Sequence, residues 1–253
     1  MLTTSQKQEV KKAVVLGLDN AEKTWKKIGS ELLKEGYAFD HAIEAHLEPS
    51  RIPGHPLVSD NNPVVEEFVA VMVDMRDSSK HLKTRVNGIA MEGIQRIYFE
   101  TSALLPAVAV TTGFREGVVT EYLGDGALVL FPVQVGDRPK SVRAAYQAAR
   151  DCVDDARAII NEELYRRYKL PSIDLGAGLS LSKALVTLVG TPGNLQPKAI
   201  GECVWEASKL SGGRNAVFVA EGVKKAWPAT QGGTLRFLRE TVKGLSGYKV
   251  LTQ

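Results

Sequence analysis

The chain has 253 residues, 44% of them hydrophobic and 24% charged, with a net charge of +3 and a sequence pI near 8.7. That length supports one large domain with a sizeable core, and so mild a charge excludes a case for nucleic-acid binding built on charge alone while leaving room for a locally basic anion site. Cys152 and Cys203 form no CxxC pattern, which argues against a disulfide framework or a thiolate zinc site. No apolar run approaches the roughly 18 residues of a membrane span, and the opening MLTTSQKQEVKK has no apolar signal core. A soluble, cytoplasmic protein with no nucleic-acid or membrane partner is expected.

Val10, Val14, Leu18, Ala21, Trp25, Ile28 and Leu32 recur at three- and four-residue steps and predict a first helix. Thr3 or Thr4 is its expected cap and Gly36 its end. A second short helix is expected to cover Phe39, Ile43 and Leu47, before a Pro/Gly linker, PSRIPGHP, at 49–56. This arm reads equally as a packing element or as a dimer contact. Phe68 to Val73 then reads as a buried strand, and 79 to about 105 as helix. The runs 117–123 and 126–131 read as a hairpin turning at Gly124-Asp125-Gly126.

A long helix is expected over 139–168, then strands at about 173–181 and 184–189, a turn, and a helix near 202–210. The strand AVFV at 216–219 and a final strand pair complete the chain. The order β-α-β-β-α-β predicts an α+β, ferredoxin-like core with a C-terminal extension. The expected domains are a helical arm (1–48), a linker (49–65) and a catalytic domain (66–253).

Asp74 ends the first buried strand in VMVDMRDSS, and Asp125 sits in the hairpin of EYLGDGALVLF. Ferredoxin-like topology makes those strands neighbours. Two adjacent carboxylates repel unless a cation joins them, and hard oxygen ligands suit Mg²⁺ or Mn²⁺. Ser78 and Ser79 follow at an expected helix N-terminus, where free N–H groups attract anions. Taken singly, Asp74 also reads as a helix cap and Asp125 as an ordinary turn residue. In strand order, the pair favours a metal-bound triphosphate.

These motifs resemble the catalytic domain of class III nucleotide cyclases. The resemblance continues through GAGLSLSKALVTLVG (176–190), AIGECVWEASKL (199–210) and VKGLSGYKVL (242–251), and spans about 66–252. It implies a homodimer with shared active sites and two divalent cations, Mn²⁺ or Mg²⁺, on Asp74 and Asp125. Lys183 falls where the family has a phosphate-binding Arg, and Lys243 matches a phosphate-binding Lys. Lys209, from the partner chain, falls at the transition-state Arg of the helix motif VNxAxR. Lys in place of Arg keeps the charge but loses the planar fork. The implied reaction is attack of the ribose 3′-oxygen on the α-phosphorus, releasing pyrophosphate.

The base-reading positions depart furthest from the adenylate enzymes. Glu121 stands where those carry Lys, and Lys198 where they carry Asp. Adenine is disfavoured, whereas guanine, uracil and cytosine each offer groups to this pair. Trp205 replaces the ribose-orienting Asn. An indole there suits a smaller pyrimidine, or else it faces the core or a dimer contact. The arm, the single domain and these substitutions are similar to the pyrimidine nucleotide cyclases of bacterial Pycsar antiphage systems. That resemblance implies UTP or CTP as substrate and a separate effector activated by cyclic UMP or cyclic CMP, with uridylate favoured. A non-catalytic nucleotide sensor is the reading from a different class, motivated by the missing Asn and Arg.

Overall fold

The computed structural model describes residues 1–32, 50–58, 63–134, 136–191, 194–228 and 235–252. The expected second helix at Phe39, Ile43 and Leu47, and the helix end at Gly36, lie outside the described residues.

Helix α1 spans Thr4–Leu32. Thr3 is its cap: the Gln6 N–H donates to Thr3 Oγ1 at 3.2 Å, and the Thr3 N–H donates back to Gln6 Oε1 at 2.9 Å. This reciprocal pair satisfies two N–H groups that the helix itself leaves without partners. Val10, Val14, Leu18 and Ala21 are buried, as their helical spacing requires. They pack chiefly on α3, Gly93–Gly113. From Val10 to Ala21 the arm therefore buries its apolar stripe within its own chain.

The expected helix over 79–105 is corrected to two. Helix α2 covers Ser78–Lys83, and α3 begins only at Gly93. The intervening TRVNG turns at Gly88, whose φ of +79° no helix accommodates. Helix α3 also runs beyond Pro106, where a sequence reading stops it. Proline withholds an N–H from the Ser102 carbonyl. That oxygen instead faces Gly17 of α1, so closely that a Cβ at Gly17 would lie 2.0 Å from it. Two backbones thus meet where a proline and a glycine coincide.

The core strands are β1 (Val64–Met75), β2 (Val118–Tyr122), β3 (Gly126–Pro132) and β4 (Leu175–Thr191). They lie in the order β2-β3-β1-β4, the ferredoxin-like arrangement. The strands expected at 173–181 and 184–189 are one strand, β4. Ser182 and Lys183 do not turn the chain and stay in the ladder opposite Phe68 and Glu67. The return strand is β5, Asn194–Gly201, where the sequence reading had only a turn.

The helical rod expected at 139–168 is present as α4 (Arg138–Asp151), a π-helical turn at Cys152–Ala156, and α5 (Arg157–Tyr168). After β5 come α6 (Glu202–Leu210), β6 (Ala216–Val219) and a short α7 (Glu221–Lys225). The hairpin β7 (Leu235–Val242) and β8 (Leu245–Thr252) follows. Strand β6 joins β4 in parallel, and β8 and β7 extend the sheet beyond it.

Both faces of the sheet are covered. Val69, Val71, Val73 and Met75 of β1 face the helical layer. Phe68, Ala70 and Met72 alternate to the other side, under α6 and residues of the segment 50–58. Ile52 and Val58 are buried there, so the stretch read as a linker contributes to the core.

Candidate active site

Asp74 is one residue from the end of β1 and pairs in register with Gly126 of β3 and Gly176 of β4. Asp125 precedes Gly126, so topology alone brings the two carboxylates to one sheet edge. The glycines around Asp125 have different uses. Gly124 turns the chain at a φ of +66°, whereas a Cβ at Gly126 would lie 2.7 Å from the Val73 carbonyl oxygen and 3.2 Å from Asp74 Oδ1. The second glycine therefore allows β3 to approach Asp74. The Met75 N–H donates to the Asp125 carbonyl at 3.0 Å and fixes the turn. Asp74 is not the cap of α2; Asp77 occupies that position, in the left-handed region. Ser78 opens α2 half-buried and Ser79 is exposed.

Sequence reasoning missed the cation closest to this pair. Arg76 donates through Nη2 to Asp74 Oδ2, and its side chain is only 11% exposed. Its Nε is buried without a hydrogen-bond partner. Burial lowers its pKa, an effect that Asp125 and Asp77 oppose through space. The available signal was spacing: in extended backbone, residues two apart point to the same side.

Lys243 Nζ lies 3.9 Å from the same Asp74 oxygen. Lys243 and Gly244 have φ of 45° and 80°, the doubly positive pattern of a tight hairpin turn that places the Lys at its tip. Burial lowers the Lys243 pKa, and the neighbouring charges of Arg76 and Lys209 lower it further. Two cations, Arg76 and Lys243, thus sit at Asp74 within one chain, and Lys209 is near enough to Lys243 for their charges to repel. Lys209 Nζ also sits 5.8 Å from the centre of the Trp205 ring, one turn earlier on α6. Trp205 is 55% exposed, so it faces outward rather than into this chain's core.

Lys183 is exposed on β4 opposite Glu67. Asp74 meets β4 at Gly176, and at about 3.3 Å per residue the two levels are about 23 Å apart along the strand. The chain does not bring Lys183 to the carboxylates.

A second network, also missed, braces the turn after Asp74. Arg214 donates to both Asp77 and Asp174. Asn215 donates to Asp174 at 2.6 Å, and the Arg76 N–H donates to the Asp174 carbonyl at 2.8 Å. These residues are far apart in sequence, so no local pattern joins them.

Glu121 and Lys198 do meet. Lys198 Nζ donates to Glu121 Oε2 at 2.5 Å, with both side chains partly exposed. A bulge between Val119 and Glu121 sets Glu121 opposite Leu128, and the β4–β5 hairpin carries Lys198 to it. The pair lines an open cleft together with Arg51, Thr120 and Gln196.

The donor set at Asp74 and Asp125 fits a divalent cation that takes its other ligands from phosphate and water. Asp74 Oδ1 is not the oxygen that Arg76 engages, and Asp125 precedes the Gly126 that pairs with Asp74. No cluster of three or more His, Cys, Asp or Glu side chains suited to an ion occurs among the described residues. No described helix is long and apolar enough to cross a membrane.

No protein-family model and no curated protein matches the sequence. Solved structures do match the fold. The adenylyl cyclase CyaB from P. aeruginosa superposes with a TM-score of 0.60 at 14% identity, covering 76% of this chain and 97% of that one. The guanylyl cyclase Cya2 gives 0.57 at 16% identity, covering 74% and 92%. The dimeric guanylyl cyclase domain of the RhoGC fusion protein from Blastocladiella emersonii gives 0.53 at 14% identity, covering 78% and 98%. The chain therefore has the α+β fold of class III nucleotide cyclase domains.

Proposed function

We propose that the protein is a nucleotide cyclase of the class III type that converts UTP to 3′,5′-cyclic UMP and pyrophosphate. The observation that carries this reading is the meeting of Asp74 and Asp125 at one sheet edge, with Arg76 and Lys243 at Asp74. In the reaction the 3′-oxygen forms a bond to the α-phosphorus, the bond from that phosphorus to the bridging oxygen breaks, and the 3′-proton passes to solvent. Asp74 and Asp125 would hold the divalent cations, two by family resemblance, which when bound lower the pKa of the 3′-hydroxyl and offset phosphate charge. Arg76, Lys243 and Lys209 offer positive charge where negative charge accumulates on the phosphates. Glu121 and Lys198 face the base, and Trp205 lies beside the nucleotide. A homodimer with shared sites belongs to this reading, as does an effector that responds to the cyclic product. The role in antiphage defence rests on the sequence resemblance.

The Glu121–Lys198 pair also suits guanine, so guanylate cyclase is the second reading. Cytidylate cyclase and a non-catalytic sensor are the remaining ones. Purified protein incubated with each of the four NTPs and Mn²⁺ should yield cyclic UMP as the dominant product, identified by mass. Cyclic GMP or cyclic CMP as the main product would reassign the base. Binding of UTP with no cyclic product at all would leave the sensor.

A further inference from the structure

We infer that Arg51, in the segment ahead of β1, is a base-recognition residue that selects uracil. This rests on the nucleotide-cyclase reading of the same cleft. The segment is held in place, not loose. Ile52 is buried at 4% exposure, the Ile52 N–H donates to Ser50 Oγ at 3.0 Å, and the Ser50 N–H donates to the Pro56 carbonyl at 3.0 Å. Between these anchors Arg51 is exposed and lines the cleft that holds Glu121 and Lys198. Lys198 is already engaged by Glu121, whereas Arg51 forms no ion pair among the described residues.

The cleft therefore offers two cationic donors and one carboxylate acceptor. Uracil presents a matching edge: carbonyl O4, the N3–H and carbonyl O2, an acceptor, a donor and an acceptor. Guanine presents an acceptor followed by two donors, so its 2-amino group would face a guanidinium that has only donors to offer. Cytosine presents one donor and two acceptors, which leaves a carboxylate opposite its N3. A polar site that leaves groups unpaired discriminates strongly between bases. Arg51 is thus what separates uracil from guanine, which Glu121 and Lys198 alone admit.

The test is calorimetric binding of 3′-deoxy-UTP and 3′-deoxy-GTP in the presence of Mn²⁺. Neither ligand has the 3′-hydroxyl, so binding is read without turnover. Arg51→Ala should weaken 3′-deoxy-UTP binding about tenfold or more while leaving 3′-deoxy-GTP within about twofold, so that the preference narrows. Arg51→Lys should recover part of the loss. The melting temperature should stay unchanged because the side chain is exposed.

Equal loss for both ligands would overturn the selectivity, and so would unchanged binding of 3′-deoxy-UTP. Wild-type protein that binds neither ligand overturns this inference and the cyclase reading together. Selective binding that depends on Arg51, with no cyclic product from UTP, removes the cyclase reading and keeps the inference.

Discussion

Asp125→Asn should lower turnover of NTP by roughly a thousandfold or more and leave the fold intact. Asn keeps the size of the side chain and its tolerance of turns. The backbone bond from Met75 to the Asp125 carbonyl does not involve the side chain, and Gly124 still supplies the left-handed residue. What disappears is one of two negative charges at the sheet edge. The remaining carboxylate, Asp74, is already shared between Arg76 and Lys243. It alone would hold Mn²⁺ poorly. Electron paramagnetic resonance of Mn²⁺ should show the loss of bound ion, and circular dichroism should show no change. A variant that retains activity within tenfold would remove Asp125 from the site.

A large effect on stability is expected at Gly178, where an added Cβ meets three backbone atoms of one helix end. A Cβ there would lie 2.2 Å from the Ala207 carbonyl oxygen, 2.4 Å from the Ser211 nitrogen and 2.6 Å from the Leu210 carbonyl carbon. All three are backbone atoms at the end of α6, so no rotamer change relieves the clash. Gly178→Ala must push α6 away from β4 or distort the strand. A cost of about 3 kcal/mol or more is expected, measured as a shift in the urea midpoint. Because α6 carries Trp205 and Lys209, activity should fall with stability. Gly113→Ala is the control. That position has nothing within 4 Å of an added Cβ and closes a helix, so the change should be close to neutral. Equal destabilisation by both substitutions would show that contact with α6 is not the cause.

Much of this molecule was legible before its structure. The alternation of β1 and the hairpin at Asp125 fixed the order of the central strands, and with it the meeting of two carboxylates. Local periodicity sufficed because those elements are short and punctuated by glycine. It failed at Pro106, where an oxygen released by proline finds glycine on another helix. It failed again at 182–183, where a polar pair mimics a strand end although the ladder continues for 17 residues. The missed site residues have the same origin. Arg214, Asp174 and Asp77 meet only in space, and Arg51 stands in a segment whose Pro/Gly content reads as linker although Ile52 anchors it.

Arg76 gives the carboxylate pair an internal neutraliser. A metal-free protein with two bare acids at a sheet edge would repel itself there, but this one should not. Chelation with EDTA is therefore expected to leave the melting temperature unchanged. The same contact sets an order of arrival. A free cation must share Asp74 with a guanidinium that already offsets its charge, whereas a triphosphate brings its own metal and offers that guanidinium a new partner. Loading should thus proceed as one exchange of partners, with Mn²⁺ bound far more weakly alone than with nucleotide.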